Sequence, residues 1–85
     1  MKKKILLVED NPATVDIVQT ELEFLGYDSI VAENGNKAVD MAASQMPDLI
    51  MMDISLPKMD GLEATTLTRK NPKTKFIPII AAPAR

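Results

Sequence analysis

Apolar residues in this chain follow two kinds of pattern. Short apolar runs, bounded by charged or turn-forming residues, are typical of strands in the interior of a sheet. Positions that recur every third or fourth residue are typical of helices with one buried face. Runs of the first kind predict four strands, of which the second is the weakest, at residues 5–8, 27–32, 48–53 and 76–82. Helical spacing predicts three helices, one after each of the first three strands.

The limits of the first helix are given by residues that start or stop helices. Asn11 can cap the free N–H groups of a first turn, and Pro12 has no N–H that would need a partner there. Gly26 supplies the stop. The apolar residues that recur at helical spacing before this stop are Val15, Val18, Leu22 and Leu25.

The second and third helices are bounded in the same way. We predict a turn at residues 34–35 (Asn-Gly), a second helix that Pro47 ends, a loop at residues 55–61, and a third helix from Leu62 to Lys70. Asn and Pro at residues 71–72 close the third helix. Apolar members of the second helix are Ala38, Val39, Met41, Ala42 and Met46, and those expected to face inward from the third are Leu62 and Leu67.

The alternation of strands and helices predicts the fold class. A β-α-β-α-β-α-β order implies an α/β protein with a doubly wound parallel sheet, helices on both faces and right-handed crossovers. In such sheets ligands bind beyond the carboxyl ends of the strands, where the strand order reverses. The 85 residues fit one small domain, residues 1–85.

Composition narrows the possible chemistry. The chain has no cysteine and no histidine, which excludes disulfides, thiolate chemistry and the commonest general base. A net charge of −2 gives no reason to expect a nucleic-acid partner, and we interpret the lysines at residues 2–4 as a solvated end. The apolar run of the first strand is too short for a signal peptide, and no stretch is long enough to span a membrane. We therefore expect a cytoplasmic protein without a membrane partner.

Three acidic residues stand at predicted strand ends. Glu9 and Asp10 follow the first strand, and Asp53 ends the third after four apolar residues. If these strands are neighbours, the carboxylates converge and repel one another, and Mg²⁺ would relieve that repulsion. Asp53 could then act as a nucleophile that forms an acyl phosphate. Each acid alone is also compatible with a helix cap or a solvated loop, and spacing alone does not separate a phosphoacceptor from a plain Mg²⁺ site.

A family resemblance bears on that choice. The segments "ILLVEDN", "LIMMDISLPKMDG" and "IPIIA", taken together, resemble the receiver domain of bacterial response regulators in two-component signalling. The resemblance implies the flavodoxin-like strand order 2-1-3-4-5, shortened here to 2-1-3-4. It also implies a phosphorelay in which an aspartate accepts a phosphoryl group from a sensor histidine kinase or a phosphotransfer protein, with Mg²⁺ as cofactor. A protein of this kind is a signalling domain and not an enzyme.

The resemblance assigns roles residue by residue. Asp53 matches the phosphoacceptor, Asp10 a direct metal ligand, and Glu9 an acid that reaches the metal through water. Ser55 matches the position whose backbone carbonyl is a further metal ligand. The loop residues that shape the site are matched by Pro57, Asp60 and Gly61, although turn formation alone would explain Pro57 and Gly61. Besides its cap role, Asn11 could contribute near the site.

The chain departs from the family pattern at its C-terminal end. Pro83 occupies the switch position, where receiver domains carry Ser or Thr, and the lysine of a fifth strand has no counterpart. We therefore expect a truncated domain that lacks the last helices and the fifth strand. The edge of the fourth strand would then be exposed at Phe76, Ile77, Ile79 and Ile80.

Three functions remain open at this point. The first is a receiver that accepts phosphate, and the second is a truncated receiver that forms a homodimer or binds a partner without a productive switch. The third, a phosphatase with an aspartyl nucleophile, generally needs a second Asp two residues after the nucleophile, and Ser55 stands there instead.

Overall fold

The computed structural model describes residues 2–53 and 58–82, with the side chains of residues 58–60 and 82 left out of the description. The elements are β1 (Lys4–Val8), α1 (Pro12–Phe24), β2 (Asp28–Ala32), α2 (Gly35–Gln45), β3 (Leu49–Asp53), α3 (Lys58–Lys70) and β4 (Ile79–Ala82). All four strands pair in parallel in the order β2-β1-β3-β4, which confirms the predicted α/β class and strand order. No helix among the described residues is long and apolar enough to cross a bilayer.

The main core lies between one face of the sheet and helices α2 and α3. Alternate residues of β1 and β3 point to it, because side chains of a strand alternate between the two faces. The small side chains on the helices let α2 and α3 lie close to the sheet and to each other. The buried members of this core are Leu6, Val8, Ala32, Ala38, Ala42, Ile50, Met52, Ala64 and Ile77.

Helix α1 covers the other face of the sheet. Its buried residue Leu22 lines a shallow apolar groove with Ile5, Leu49 and Met51. The predicted caps are confirmed: the Asn11 side chain accepts hydrogen bonds from the first turn, and Gly26 has a φ of 94° after the last turn. This region of φ is unfavourable for residues with a Cβ, which explains a glycine here.

Three predictions near α1 and α2 are wrong. Leu25 was expected within the first helix, but α1 ends at Phe24 and Leu25 is its exposed C-cap. Asn34 is not part of a separate turn: it caps α2, accepting a hydrogen bond from Lys37 N at 2.9 Å, and Gly35 is already helical. Met46 follows the end of α2 with a φ of 47°, so it is a C-cap and not a helical residue.

The inward-facing residues of α3 were also predicted incorrectly. Leu62 is 60% exposed and Leu67 is exposed, whereas Ala64 and Thr68 are buried. Residues five apart on a helix lie about 140° apart around its axis, so Leu62 and Leu67 cannot both face the core. The four-residue spacing of Ala64 and Thr68 does give a common face. The helix also begins at Lys58, so Gly61 belongs to it and not to a loop.

The fourth strand is shorter than predicted. Phe76, Ile77 and Pro78 precede β4, and residues 72–76 form turns. Ile77 is buried in the main core, whereas Phe76 is exposed. The expected exposed edge at Phe76, Ile77, Ile79 and Ile80 is therefore wrong for Phe76, which lies outside the strand, and for Ile77, which packs inside.

Candidate metal centre

The centre is formed by the carboxyl ends of β1 and β3. These strands are neighbours, and Val8 of β1 pairs with Met52 of β3. Glu9 follows Val8 directly, and Asp53 follows Met52, so both reach the same edge of the sheet. The backbone N–H of Glu9 continues the pairing with β2 by donating to Ala32 O at 3.0 Å, which fixes Glu9 beside the sheet.

Three carboxylates meet at this edge, as the sequence predicted for neighbouring strands. One oxygen each of Glu9, Asp10 and Asp53 lies within 4.8 Å of the others. Glu9 and Asp53 are each 3% exposed, whereas Asp10 is exposed. Two acids of the cluster are thus buried, and the third faces solvent.

Burial and charge repulsion act on Glu9. The pKa of the Glu9 carboxyl is raised from an ordinary 4.5 to about 7, chiefly by burial and in addition by the neighbouring Asp53 and Asp10. The backbone N–H of Asn11 opposes this by donating to Glu9 Oε2 at 3.0 Å, since a hydrogen bond to the charged form favours that form. The net direction is upward, so the cluster resists carrying its full negative charge.

The donor set fits a hard divalent cation. Mg²⁺ binds oxygen ligands, commonly one or two carboxylates together with waters and phosphate oxygens. Its charge would offset the repulsion that raises the pKa of Glu9, and the exposed Asp10 leaves the centre open on the solvent side. An open, oxygen-lined centre can hold a cation and a phosphate group together.

The remaining predicted site residues lie either outside the described part of the chain or in the first turn of α3. Ser55, Pro57 and Pro83 lie outside the described residues. Asp60 and Gly61 lie in the first turn of α3. An added Cβ at Gly61 would meet no atom within 4 Å, so local space does not require glycine there.

One interaction in the centre was not predicted from the sequence. Asn11 was expected to cap α1 or to contribute near the site, and it does both with different atoms. Its side chain accepts a hydrogen bond from Ala13 N at 2.9 Å, while its own N–H binds Glu9. An acid two residues before a helix cap was the signal available in the sequence, because the free N–H groups at a helix start favour a carboxylate.

Comparisons with known proteins agree with this geometry. The family model described as "Response regulator receiver domain" matches residues 5–85. The polar-differentiation response regulator DivK of Brucella anthropi is 39% identical over 84 residues, which are 99% of this chain and 68% of that protein. DivK of Brucella ovis is 38% identical over the same length.

Solved structures of similar proteins share the fold. One is the receiver domain of a sensor histidine kinase from Pseudomonas aeruginosa PAO1, described with a magnesium ion coordinated in its active-site cleft. It is 40% identical, with a TM-score of 0.87 over 95% of this chain and 66% of that one. Another, from a response regulator receiver protein of Methanoculleus marisnigri JR1, is 36% identical, with a TM-score of 0.84 over 92% of this chain and 63% of that one. The chain thus spans about two thirds of the length of these relatives.

Proposed function

This chain belongs to the family of response regulator receiver domains, and from that premise we propose that Asp53 accepts a phosphoryl group from a phosphohistidine. The donor would be a sensor histidine kinase or a phosphotransfer protein. The observation that carries the proposal is the position of Asp53, which is buried at the carboxyl end of β3 with Glu9 and Asp10 beside it. Family members use an aspartate at the matching motif position as the acceptor.

The cluster would also bind the divalent cation that this transfer needs. Asp10 and Asp53 would bind it directly, with the backbone carbonyl of Ser55 as a further ligand and Glu9 acting through water. When bound, Mg²⁺ offsets negative charge on the transferring phosphoryl oxygens. The magnesium ion described for the Pseudomonas aeruginosa receiver domain supports this assignment.

The protein's own contribution to the transfer is positioning. A carboxylate oxygen of Asp53 attacks the phosphorus atom, a new O–P bond forms, and the P–N bond to the donor imidazole breaks with its electron pair going to nitrogen. The product is an acyl phosphate on Asp53. Because Asp53 ends a strand paired on both sides, to β1 and to β4, its backbone is held in place before the donor arrives.

A direct experiment tests the phosphoacceptor role. The chain is incubated with Mg²⁺ and acetyl phosphate, and its intact mass is measured. We expect one phosphoryl adduct on the unmodified chain and on Asp40→Asn, which alters an exposed acid on α2, and none on Asp53→Asn. An adduct that persists in Asp53→Asn, or that fails to form on the unmodified chain, would contradict the proposal.

A second candidate function is self-association. In the sheet formed by the described residues, β4 lies at one edge, and Ile80 is 46% exposed. Apolar edge strands are ready templates for pairing with another chain. We propose that β4 pairs with β4 of a second copy. The contact would involve Ile79 and Ile80, and not the residues before the strand.

A further inference from the structure

The end of α3 and its connection to β4 present three lysines and one phenylalanine to solvent. We define the Lys/Phe surface as the exposed side chains of Lys70, Lys73, Lys75 and Phe76. Phe76 is 83% exposed, and the Lys75 ammonium lies 5.0 Å from the centre of its ring. An aromatic ring and an ammonium group therefore lie together, and two more exposed lysines occur within six residues of the ring along the chain.

The backbone below this surface is held from inside the protein. Arg69 Nη1 donates to the carbonyls of Lys75 and Ile77, at 2.9 and 2.7 Å. The Thr74 hydroxyl, buried, donates to Thr68 O at 2.8 Å. Further bonds run from the N–H groups of residues 73–75 to the side chain and carbonyl of Asn71. A preorganised backbone lowers the entropy that a partner must overcome on binding.

Local structure explains only part of the positive charge. Arg69 and Lys70 lie in the last turn of α3, where cations complement the helix dipole. Lys73 and Lys75 lie beyond the helix, and no ion pair among the described residues involves either of them. No acidic residue occurs between residues 64 and 85 of the sequence. The exposed ring of Phe76 thus lies beside the Lys75 ammonium, and neither Lys73 nor Lys75 is neutralised by an ion pair within the described part of the chain.

The Lys/Phe surface lies far from the acidic cluster in the topology. It precedes β4, whereas Glu9 and Asp53 lie at the carboxyl ends of β1 and β3, and all strands run in parallel. It therefore lies at the end of the sheet where the strands begin, opposite the end that carries the acidic cluster. A partner bound there would leave the acidic cluster open, so the two sites can work at the same time.

We propose that the Lys/Phe surface binds a short acidic peptide segment of a partner protein. Phe76 would contact an apolar or aromatic side chain of that segment, and the lysines would face its carboxylates. A short segment fits better than a nucleic acid, because the whole chain carries a charge of −2 and would repel a long polyanion outside this patch. At physiological salt, screening limits the range over which each lysine attracts a negative charge to about 8 Å, which also favours a short partner.

The test is an NMR titration of the ¹⁵N-labelled chain with the blocked peptide Asp-Glu-Asp-Phe-Glu-Asp-Glu. We expect amide shifts confined to residues 69–77. Relative to the unmodified chain, affinity for the peptide should fall about tenfold in Phe76→Ser. It should also fall about tenfold in the separate double variant Lys73→Glu, Lys75→Glu. Lys37→Glu makes the same kind of charge change on α2, where Lys37 is also exposed, and should leave affinity unchanged. Thermal melting of each variant checks that these surface changes leave the fold intact.

Two further probes decide the class of partner. The same peptide with Asn and Gln in place of its acids should not bind. A thymidine oligonucleotide of equal length should bind more weakly than the peptide. Equal or tighter binding of the oligonucleotide at residues 69–77 would overturn the assignment of a protein partner. Peptide shifts centred elsewhere, or affinity unaffected by both the Phe76 and the lysine substitutions, would overturn the site.

Discussion

Asp53, the last residue of β3, lies opposite Ala82 of β4 in the parallel pairing. Position 83 is the next residue of the chain after Ala82, so the sequence brings Pro83 directly after the residue that faces the proposed acceptor. Receiver domains carry Ser or Thr at the matching position, where its hydroxyl binds the phosphoryl group. Proline has no side-chain hydroxyl and no N–H to offer.

We therefore predict that a phosphoryl group on Asp53 changes the conformation of this chain very little. A ligand shifts a conformational equilibrium only through contacts that differ between the two states, and a proline side chain has no hydroxyl with which to make such a contact to a phosphoryl group. Amide NMR spectra recorded with Mg²⁺, with and without beryllofluoride as a phosphoryl mimic, should differ only near the acidic cluster. Pro83→Thr should enlarge the response. Large shifts in the unmodified chain far from Asp53 would contradict the prediction.

A second prediction concerns the cation. Asp10→Asn removes the exposed carboxylate of the cluster, and Mg²⁺ affinity should fall about tenfold or more, because few protein ligands hold the ion. Titration calorimetry measures this directly, with Asp16→Asn as the control, since Asp16 is an exposed acid on α1 outside the cluster. Equal affinity of Asp10→Asn and the unmodified chain would rule out this metal centre.

The raised pKa of Glu9 predicts how stability depends on pH. A carboxyl with a higher pKa in the folded chain takes up a proton on folding, so its contribution makes the fold less stable as pH rises from about 4.5 to about 7. Other groups act in the opposite direction, such as Glu33, whose pKa is lowered by Lys37. The comparison of the chain with Glu9→Gln isolates the Glu9 contribution.

In EDTA, Glu9→Gln should gain stability relative to the unmodified chain as pH rises through this window. Added Mg²⁺ should raise the melting temperature of the unmodified chain more at high pH than at low pH, since the cation competes with the proton. Thermal melting by circular dichroism at several pH values measures both effects. A stability difference between the two chains that is constant across this range would show that Glu9 titrates normally.

The sequence predicted the fold class and the acidic cluster because both depend on local and repetitive signals. Short apolar runs that end on acids fixed which strands carry Glu9 and Asp53, and strand neighbours in this order bring the acids together. The cap at Asn11 was also predictable, because it needs only one side chain and the N–H groups that follow it.

The errors concern positions where tertiary packing decides. Which residues of α3 face inward depends on how closely α2 approaches, and here Ala64 and Thr68 fit where leucine was expected. The start of β4 depends on the turns before it, which Arg69 and Thr74 hold in place. Such contacts between residues six to eight positions apart have no repeating pattern that a single sequence reveals.

Thr74 allows a stability prediction of its own. The carbonyl of Thr68 would accept a helical bond from residue 72, but Pro72 has no N–H, and the buried Thr74 hydroxyl takes its place at 2.8 Å. Thr74→Val keeps the shape and removes the donor, so it should cost about 1–3 kcal/mol of the free energy of unfolding. Urea denaturation measures the loss.

The matched control for Thr74→Val is Thr66→Val, which makes the same chemical change at an exposed position of α3. It should alter stability by less than about 0.5 kcal/mol. Thr74→Ser keeps the hydroxyl and should retain more stability than Thr74→Val. If Thr74→Val were as stable as the unmodified chain, the hydroxyl would not be satisfying the helix end.

The last prediction tests self-association through β4. Two copies of β4 related by a two-fold axis would pair antiparallel and join two four-stranded sheets into one. Ile80 is the residue to change, because it is exposed, whereas Ile79 packs against the main core and its loss would unfold the chain.

Ile80→Lys places a charge at the centre of the contact, and a charge on an edge strand opposes pairing. We expect light scattering at micromolar concentrations to find a dimer for the unmodified chain and a folded monomer for Ile80→Lys. Leu62→Lys changes another exposed apolar residue, on α3, and should leave the dimer intact. A monomeric unmodified chain throughout that range, or a dimer that tolerates Ile80→Lys, would exclude this mode of association.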